Sequence, residues 1–149
     1  MFNIALYQPD IPQNTAAIIR LCSCFDITLE IIEPCGFHLG DKRLKKVAMD
    51  YLKTSKIITY KSYENFLEKK KDSRIILMTT KAKKNYYSFK FKLQDTLLFG
   101  RESSGVPKIV NDNSYQKLRI PIKKSARSLN VTTAVAITLS EALRQNMAF

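Results

Sequence analysis

The chain has 149 residues, a length that suits one domain with a substantial core and argues against two independent cores. Its 25 Lys and Arg against 13 Asp and Glu give a formal net charge of +12, which favours a polyanionic partner. Nucleic acid is the first such partner and an anionic membrane surface the second. Drift toward Lys codons in an A/T-rich genome is the alternative, but it would not suppress the acidic residues.

The same composition argues against secretion, membrane insertion and metal chemistry. No apolar stretch approaches the roughly 20 residues of a membrane-spanning helix, and no basic region followed by an apolar run marks a signal peptide. The three cysteines, Cys22, Cys24 and Cys35, are an odd number, which favours a reducing cytoplasm. Cys22 and Cys24 could form a metal pair, but His38 is the only histidine, so buried structural thiols are the favoured interpretation and we expect no metal.

Short apolar runs alternate with amphipathic stretches along the chain. Six runs predict strands, in chain order at residues 2–7, 27–32, 57–60, 74–78, 96–99 and 118–122. Helices are predicted from Asn14 or Thr15 through Cys22, at 41–52, at 62–70, from Pro107, and at 129–146. This alternation indicates an α/β fold with a mostly parallel sheet, in which ligands bind beyond the carboxyl ends of the strands.

Several helix starts carry a recognisable signal. Asn14 or Thr15 is the expected cap of the first helix, and Ser62 that of the third. The helix that opens at Asp41 is the clearest, because its apolar residues lie on one helical face, at positions 44, 47, 48, 51 and 52. The final helix is apolar on more than one face, which one small domain would struggle to bury, and this favours a dimer.

Common catalytic motifs are missing from the sequence. Glycine occurs only at positions 36, 40, 100 and 105, so no Gly-x-Gly-x-x-Gly loop follows the first strand, and there is no Walker-type loop. A lone His38 argues against a histidine-based triad and against zinc hydrolysis.

Three stretches instead carry unusual polar residues at predicted strand or helix ends: 11–20, 99–107 and 118–131. Each has a structural explanation when taken alone. Asn14 fits a helix cap, Gly100 and Gly105 fit turns, and Arg20 fits a solvated helix face.

Together, in this order and spacing, the three stretches resemble the SPOUT class of trefoil-knot RNA methyltransferases. The resemblance is greatest to its small bacterial tRNA enzymes, which methylate the ribose 2′-hydroxyl of the anticodon wobble nucleotide, cytidine or uridine. It runs from Asn3 to Gln145 and includes residues 31–34 and 41–44, typical of that subgroup. It implies one domain over 1–149 without a separate RNA-binding domain, and a six-stranded parallel sheet with helices on both faces and a C-terminal trefoil knot.

The resemblance implies S-adenosylmethionine as the methyl donor and S-adenosylhomocysteine as the product. The cofactor pocket is expected in three loops of the C-terminal half, where Gly100 would let the backbone approach the ligand. The implied cofactor-binding residues are Met78, Thr79, Gly100, Glu102, Gly105, Ile120, Pro121, Ser128, Leu129 and Asn130.

Arg20 matches the arginine that the family places at the reacting hydroxyl, and Asn14 is expected to help shape that site. A guanidinium is effectively always protonated and so is a poor base. We therefore expect Arg20 to hold an RNA phosphate and stabilise developing negative charge on the oxygen. RNA contacts are expected from Lys83, Lys84, Lys124 and Arg127, with Lys81, Tyr86 and Tyr87 nearby, although a solvated basic loop explains 81–87 equally well.

Members of this class work as homodimers that share the site between subunits. The sequence departs from the family pattern at Ala16–Ala17, at 131–133 and at Ser140, which bears on substrate preference and dimer contacts. The alternatives are the same chemistry on ribosomal RNA or another tRNA position, an RNA-binding protein without catalysis, and a basic small-ligand α/β protein.

Overall fold

The computed structural model describes residues 1–146 and contains one sheet of seven parallel strands in the order β3-β2-β1-β6-β4-β7-β5. The strands are β1 (Asn3–Tyr7), β2 (Thr28–Ile32), β3 (Ile57–Tyr60), β4 (Ile75–Met78), β5 (Lys84–Asn85), β6 (Thr96–Phe99) and β7 (Gln116–Arg119). The helices are α1 (Pro12–Cys24), α2 (Lys42–Ala48), α3 (Tyr51–Thr54), α4 (Tyr63–Lys69), α5 (Lys108–Asn113) and α6 (Val131–Asn146), with a 3-10 turn at Tyr86–Ser88.

Helices cover both faces of the sheet, as the alternating side chains of β1 show. Ile4 and Leu6 point into a core cluster that contains residues of α1, α2 and α6. Ala5 and Tyr7 point into a second cluster with Phe66 of α4 and Val110 of α5. The expected α/β fold is therefore confirmed, with two apolar layers of the kind that parallel sheets require.

The sheet has seven strands, so the expected number of six is wrong. The additional strand is β5, whose two residues Lys84 and Asn85 pair with Leu118 and Arg119 of β7. Two polar residues carry no period-2 apolar pattern, because an edge strand this short buries almost nothing. The last predicted strand also ends earlier than expected, at Arg119 rather than at residue 122.

Two predicted helices differ in the structure. Pro12 takes the first helical position of α1 and Ile11 precedes it without a side-chain cap, so neither Asn14 nor Thr15 caps this helix. The predicted helix 41–52 is divided into α2 and α3, because Met49 adopts a positive φ of 49° that a right-handed helix cannot continue. The cap at Ser62 is confirmed, since its side chain accepts from the backbone N–H of Asn65. The helix expected to open at Asp41 does so, and the Asp41 side chain caps it by accepting from the backbone N–H of Arg43.

The cysteines occupy three different environments, and all three are free. Cys22 is buried, and loss of hydration raises the pKa of its thiol to about 12. Cys24 is exposed, which contradicts the expectation of a buried thiol there. Within residues 1–146, no group of three or more His, Cys, Asp and Glu side chains is arranged to hold a metal ion.

The parallel arrangement collects the loops that follow the strands at the carboxyl edge of the sheet, and those after β1, β4, β6 and β7 carry the candidate site. They comprise residues 8–11, 79–83, 100–107 and 120–130. This edge is where parallel α/β sheets bind ligands. None of the helices in the described part of the chain is long and apolar enough to span a membrane.

Candidate active site

The loop after β6 is closed by its own backbone. Arg101 and Gly105 exchange two backbone hydrogen bonds of 2.9 Å, and Gly105 has a φ of +68° that favours glycine. A Cβ atom at Gly100 would lie 2.7 Å from the carbonyl carbon of Gly105. Glycine is therefore needed at position 100 so that the backbone of Gly105 can pack against it and close the loop. From the sequence, glycine was expected there so that the backbone could approach a ligand.

Asp10 ties this loop to the end of β1. Its carboxylate accepts from Arg101 Nε at 3.1 Å and from both the Oγ of Ser103 at 2.6 Å and its backbone nitrogen at 3.1 Å. Arg101 also donates to Gln8 Oε1 at 3.3 Å. The Arg101 guanidinium, with help from Ser103, lowers the pKa of Asp10 to about 2, so this carboxylate is charged at neutral pH.

Asn14 connects all three sequence stretches that carry the resemblance. Its Nδ2 donates to Glu102 Oε1 at 3.2 Å, and its Oδ1 accepts from Asn130 Nδ2 at 3.0 Å. Thr132 Oγ1 donates to the backbone oxygen of Asn14 at 3.3 Å, and the other oxygen of Glu102 accepts from the backbone nitrogen of Asp10 at 2.9 Å. We call Asn14, Glu102 and Asn130 the amide–carboxylate hub, and it holds the starts of α1 and α6 against the loop after β6.

Arg20 lies apart from this hub. It is six residues beyond Asn14 in α1, a rise of about 9 Å along the helix axis, away from the carboxyl edge. Its side chain is exposed, and the guanidinium carbon lies 5.3 Å from the centroid of the Tyr51 ring in α3. Within residues 1–146, no hydrogen bond links Arg20 to the hub, so one chain does not unite the two predicted catalytic residues.

The remaining predicted cofactor residues lie at the ends of β4 and β7 and in the long loop that follows. Met78 is buried, Ile120 and Leu129 are half-buried, and the backbone nitrogen of Thr79 donates to Leu118 at 2.9 Å. Pro121 and Ser128 are exposed. These loops therefore offer apolar side chains beside accessible polar groups at the same edge of the sheet.

The predicted RNA-binding residues come from two adjoining segments. Lys83 and Lys84 lie at β5, whereas Lys124 and Arg127 lie in the loop that follows its neighbour β7, and all four are exposed. The Lys84 ammonium is 5.2 Å from the centroid of the Phe89 ring. The pairing of β5 with β7 thus brings both segments to one end of the sheet.

An apolar groove of about 230 Å³ lies between α1 and α6, away from these loops. It is lined by Leu21, Phe25, Ala136, Leu139, Ser140 and Leu143. Phe25 remains 39% exposed, so its ring extends the apolar surface of this groove to solvent.

Some site residues were not singled out in the sequence. Asp10 stands near Pro9 and Pro12, and Thr132 follows the third stretch. Neither lies in a sequence motif that predicts its hydrogen-bond partner. Arg101 and Ser103 lay within the second stretch, where their pairing with Asp10 is a tertiary contact across more than ninety residues.

Comparison with known proteins places this geometry among methyltransferases. Residues 1–140 match the model of the SpoU rRNA Methylase family. A protein from Beijerinckia indica named tRNA (cytidine(34)-2'-O)-methyltransferase is 42% identical over 95% of this chain and 90% of its own length. One of the same name from Escherichia coli K12 is 40% identical over 97% of this chain and 94% of its own length.

A solved structure shows the same architecture. It comes from work on 2-OH methylation of the cytidine or uridine at position 34 of tRNA. Its TM-score is 0.93 at 34% identity, and the match covers 97% of this chain and 95% of that one.

Proposed function

Since the chain belongs to the SpoU rRNA methylase family, we propose that it methylates the ribose 2′-hydroxyl of the wobble nucleotide, cytidine or uridine, in the tRNA anticodon. The similarity to tRNA (cytidine(34)-2'-O)-methyltransferases over nearly the whole chain supports this substrate. The observation that carries the proposal is the amide–carboxylate hub. Asn14 is hydrogen-bonded to Glu102 and Asn130, and so joins all three sequence stretches that carry the resemblance. A tRNA substrate also fits a cytoplasmic enzyme.

We propose that S-adenosylmethionine binds at the carboxyl edge, in the loops after β4, β6 and β7. The residues there fit such a molecule: Met78, Ile120 and Leu129 offer apolar surface for an adenine ring, and backbone groups offer hydrogen bonds. The residues that would hold it are Met78, Thr79, Gly100, Glu102, Gly105, Ile120, Pro121, Ser128, Leu129 and Asn130. When bound, it supplies a methyl group on a sulfonium.

The protein's own contribution to the reaction is alignment and charge stabilisation. The attacking oxygen must lie in line with the methyl carbon and sulfur, and such alignment lowers barriers by roughly 7–11 kcal/mol in the best cases. Arg20 stays protonated, so we assign it to holding an RNA phosphate and stabilising negative charge on the 2′-oxygen. The proton passes to that phosphate or to water. Asn14 fixes the loops after β6 and β7, through its hydrogen bonds to Glu102 and Asn130.

We infer that the active enzyme is a homodimer, because Arg20 and the hub are apart in one chain. A second copy can bring its Arg20 to the cofactor loops of the first. The groove between α1 and α6 supports this assembly, since its apolar lining and the exposed ring of Phe25 suit a subunit contact.

We further propose that residues 1–149 form a single methyltransferase domain that itself binds RNA, through Lys83, Lys84, Lys124 and Arg127. A trefoil knot in the C-terminal half belongs to this proposal. The resemblance to the trefoil-knot methyltransferases supports it, and the strand order is compatible with it, because the chain crosses β4 between β6 and β7.

The test is to incubate the purified protein with methyl-labelled S-adenosylmethionine and bulk tRNA, and to map labelled nucleosides by mass spectrometry. We expect label on a 2′-O-methyl pyrimidine at the wobble position. Label on ribose elsewhere would move the target to another RNA position and overturn the proposed substrate. Absence of both label and cofactor binding would overturn the enzyme assignment.

A further inference from the structure

Two adjacent tyrosines beside β5 have different surroundings. Tyr86 is half-buried and packs against the main core cluster, so it has a structural role. Tyr87 is 58% exposed, and its ring meets that of Tyr86 edge-on, with centroids 5.7 Å apart. Tyr87 therefore presents an aromatic surface that the fold of this chain does not use.

The exposed ring is nevertheless held in place by a chain of side-chain hydrogen bonds. Asn85 Nδ2 donates to the hydroxyl of Tyr87 at 2.8 Å, and Arg119 Nε donates to Asn85 Oδ1 at 2.9 Å. Ser88 Oγ donates to the backbone oxygen of Asn85 at 2.8 Å. Asn85 and Arg119 face each other in the β5–β7 register, so the strand pairing fixes the Asn85 side chain that holds the Tyr87 hydroxyl.

Fixing a mobile surface side chain costs conformational entropy. The exposed ring of Tyr87 offsets little of this cost by burial. A ring ordered in the free protein is instead what efficient binding requires, since the entropy is lost before the ligand arrives.

The charge around Tyr87 identifies the kind of ligand. Six exposed cations lie in the two segments that the β5–β7 pairing brings together, residues 81–84 and 119–124: Lys81, Lys83, Lys84, Arg119, Lys123 and Lys124. Within residues 1–146, no carboxylate forms an ion pair with any of them. An aromatic ring among unpaired cations is the arrangement that binds single-stranded nucleic acid, with bases stacked on the ring and phosphates beside the cations.

We propose that Tyr87 is a stacking platform for an unpaired base of the anticodon loop, and that Asn85 and Arg119 are the residues that position it. Arg119 directly precedes Ile120, where the predicted cofactor loop begins, so the hydrogen bonds that hold Tyr87 reach the start of that loop. The stacked base is then a neighbour of the wobble nucleotide. This inference rests on the proposed function and names the contact by which that function selects a loop rather than a duplex.

The test uses anticodon stem-loop RNAs that carry 5-iodouridine at each loop position in turn, with binding measured by fluorescence anisotropy and photo-crosslinks mapped by mass spectrometry. We expect a crosslink to Tyr87 from a position next to the wobble nucleotide. Tyr87→Ala should raise the Kd for the stem-loop about ten-fold, as loss of one stacked base does. Tyr87→Trp should retain binding, and Asn85→Ala should weaken it less than Tyr87→Ala.

The matched control is Tyr115→Ala. Tyr115 is another exposed tyrosine, 62% accessible, but it precedes the amino end of β7, whereas Tyr87 follows the carboxyl end of β5. Its loss should therefore leave the Kd unchanged. Crosslinks confined to other residues, or an unchanged Kd for Tyr87→Ala, would overturn the proposal. Conversion of Tyr87→Ala to a monomer in light scattering would also overturn it, because the ring would then be a subunit contact.

The experiment separates the two proposals. Wild-type protein that binds and crosslinks through Tyr87 without transferring a methyl group would retain the platform and refute the proposed reaction. Wild-type protein that methylates the wobble ribose while Tyr87→Ala is equally active would refute the platform and retain the reaction.

Discussion

At the scale of single residues, Asn14 and Arg20 differ more than their shared helix suggests. Asn14 is fixed by hydrogen bonds to Glu102 and Asn130, whereas the Arg20 guanidinium lies over the ring of Tyr51. A fixed amide suits the shaping of a site, and an exposed guanidinium suits the capture of a phosphate. Their predicted roles can therefore be separated by mutation.

Replacing Arg20 by Ala should lower methyl transfer to tRNA by at least about 100-fold, the effect of losing one donor to a developing oxyanion. The Kd for S-adenosylmethionine should stay within about two-fold, because Arg20 is assigned to the RNA phosphate and the 2′-oxygen and not to the cofactor. Arg20→Lys keeps the charge but not the planar fork, and so should be intermediate. Single-turnover rates and calorimetric titration measure the two quantities, and a near-normal rate for Arg20→Ala would contradict the assigned role.

The carboxylate of Asp10 gives a prediction on pH. Its pKa is about 2 in the folded protein, below the ordinary 3.8, so the folded state favours the charged form. The resulting stability is fully present above about pH 4 and is lost as pH falls toward 2. Urea unfolding from pH 7 to pH 2.5 should show Asp10→Asn less stable than wild type at neutral pH, with the difference shrinking below pH 4. A difference that grows in acid would contradict this assignment.

At the scale of elements, features that depend on neighbouring residues could be predicted from the sequence, whereas features that depend on tertiary contacts could not. Asp41 and Ser62 cap their helices with bonds to residues two and three positions away, which the sequence displays directly. The division of the predicted helix 41–52 depends on a backbone turn at Met49 that no helix-breaking residue announces. The short strand β5 exists only because β7 lies beside it.

The site follows the same rule. The three stretches could be identified as a set through resemblance, but the bonds that join them link positions 88 and 116 residues apart. No periodicity encodes such a contact, since it depends on how the whole sheet is ordered. The Asp10–Arg101 pair is missed for the same reason.

The loop after β6 should fail when a side chain is added at Gly100. The Cβ of Gly100→Ala would lie 2.7 and 2.8 Å from backbone atoms of Gly105. The two backbone hydrogen bonds between Arg101 and Gly105 must then break. We expect a loss of stability of about 1–3 kcal/mol and at least ten-fold weaker S-adenosylmethionine binding. Gly40→Ala is the control, since a Cβ there meets nothing within 4 Å. Equal melting temperatures and cofactor affinities for the two variants would refute this account of the loop.

At the scale of the whole molecule, the proposed site is complete only with a second copy of the chain. The groove between α1 and α6 and the position of Arg20 both point to an assembly in which each subunit completes the other's site. Because the net charge of +12 disfavours association of two copies, we propose that burial of the apolar groove supplies the free energy of the contact.

Introducing a charge at Phe25 should therefore separate the subunits. Phe25→Glu places a carboxylate beside the apolar groove, and we expect a monomer by light scattering, native circular dichroism, and loss of methyl transfer. Phe25→Leu keeps an apolar side chain and should remain dimeric and active. A Phe25→Glu protein that is monomeric and fully active would show that one chain suffices.

The most direct test of the central claim compares two anticodon stem-loops that differ in one atom, a ribose and a 2′-deoxyribose at the wobble nucleotide. With labelled S-adenosylmethionine, the account predicts methyl transfer to the ribose substrate and none to the deoxy substrate, while both bind with similar Kd. Equal labelling of both RNAs would contradict it, because the methyl group would then have gone to an atom other than the wobble 2′-oxygen.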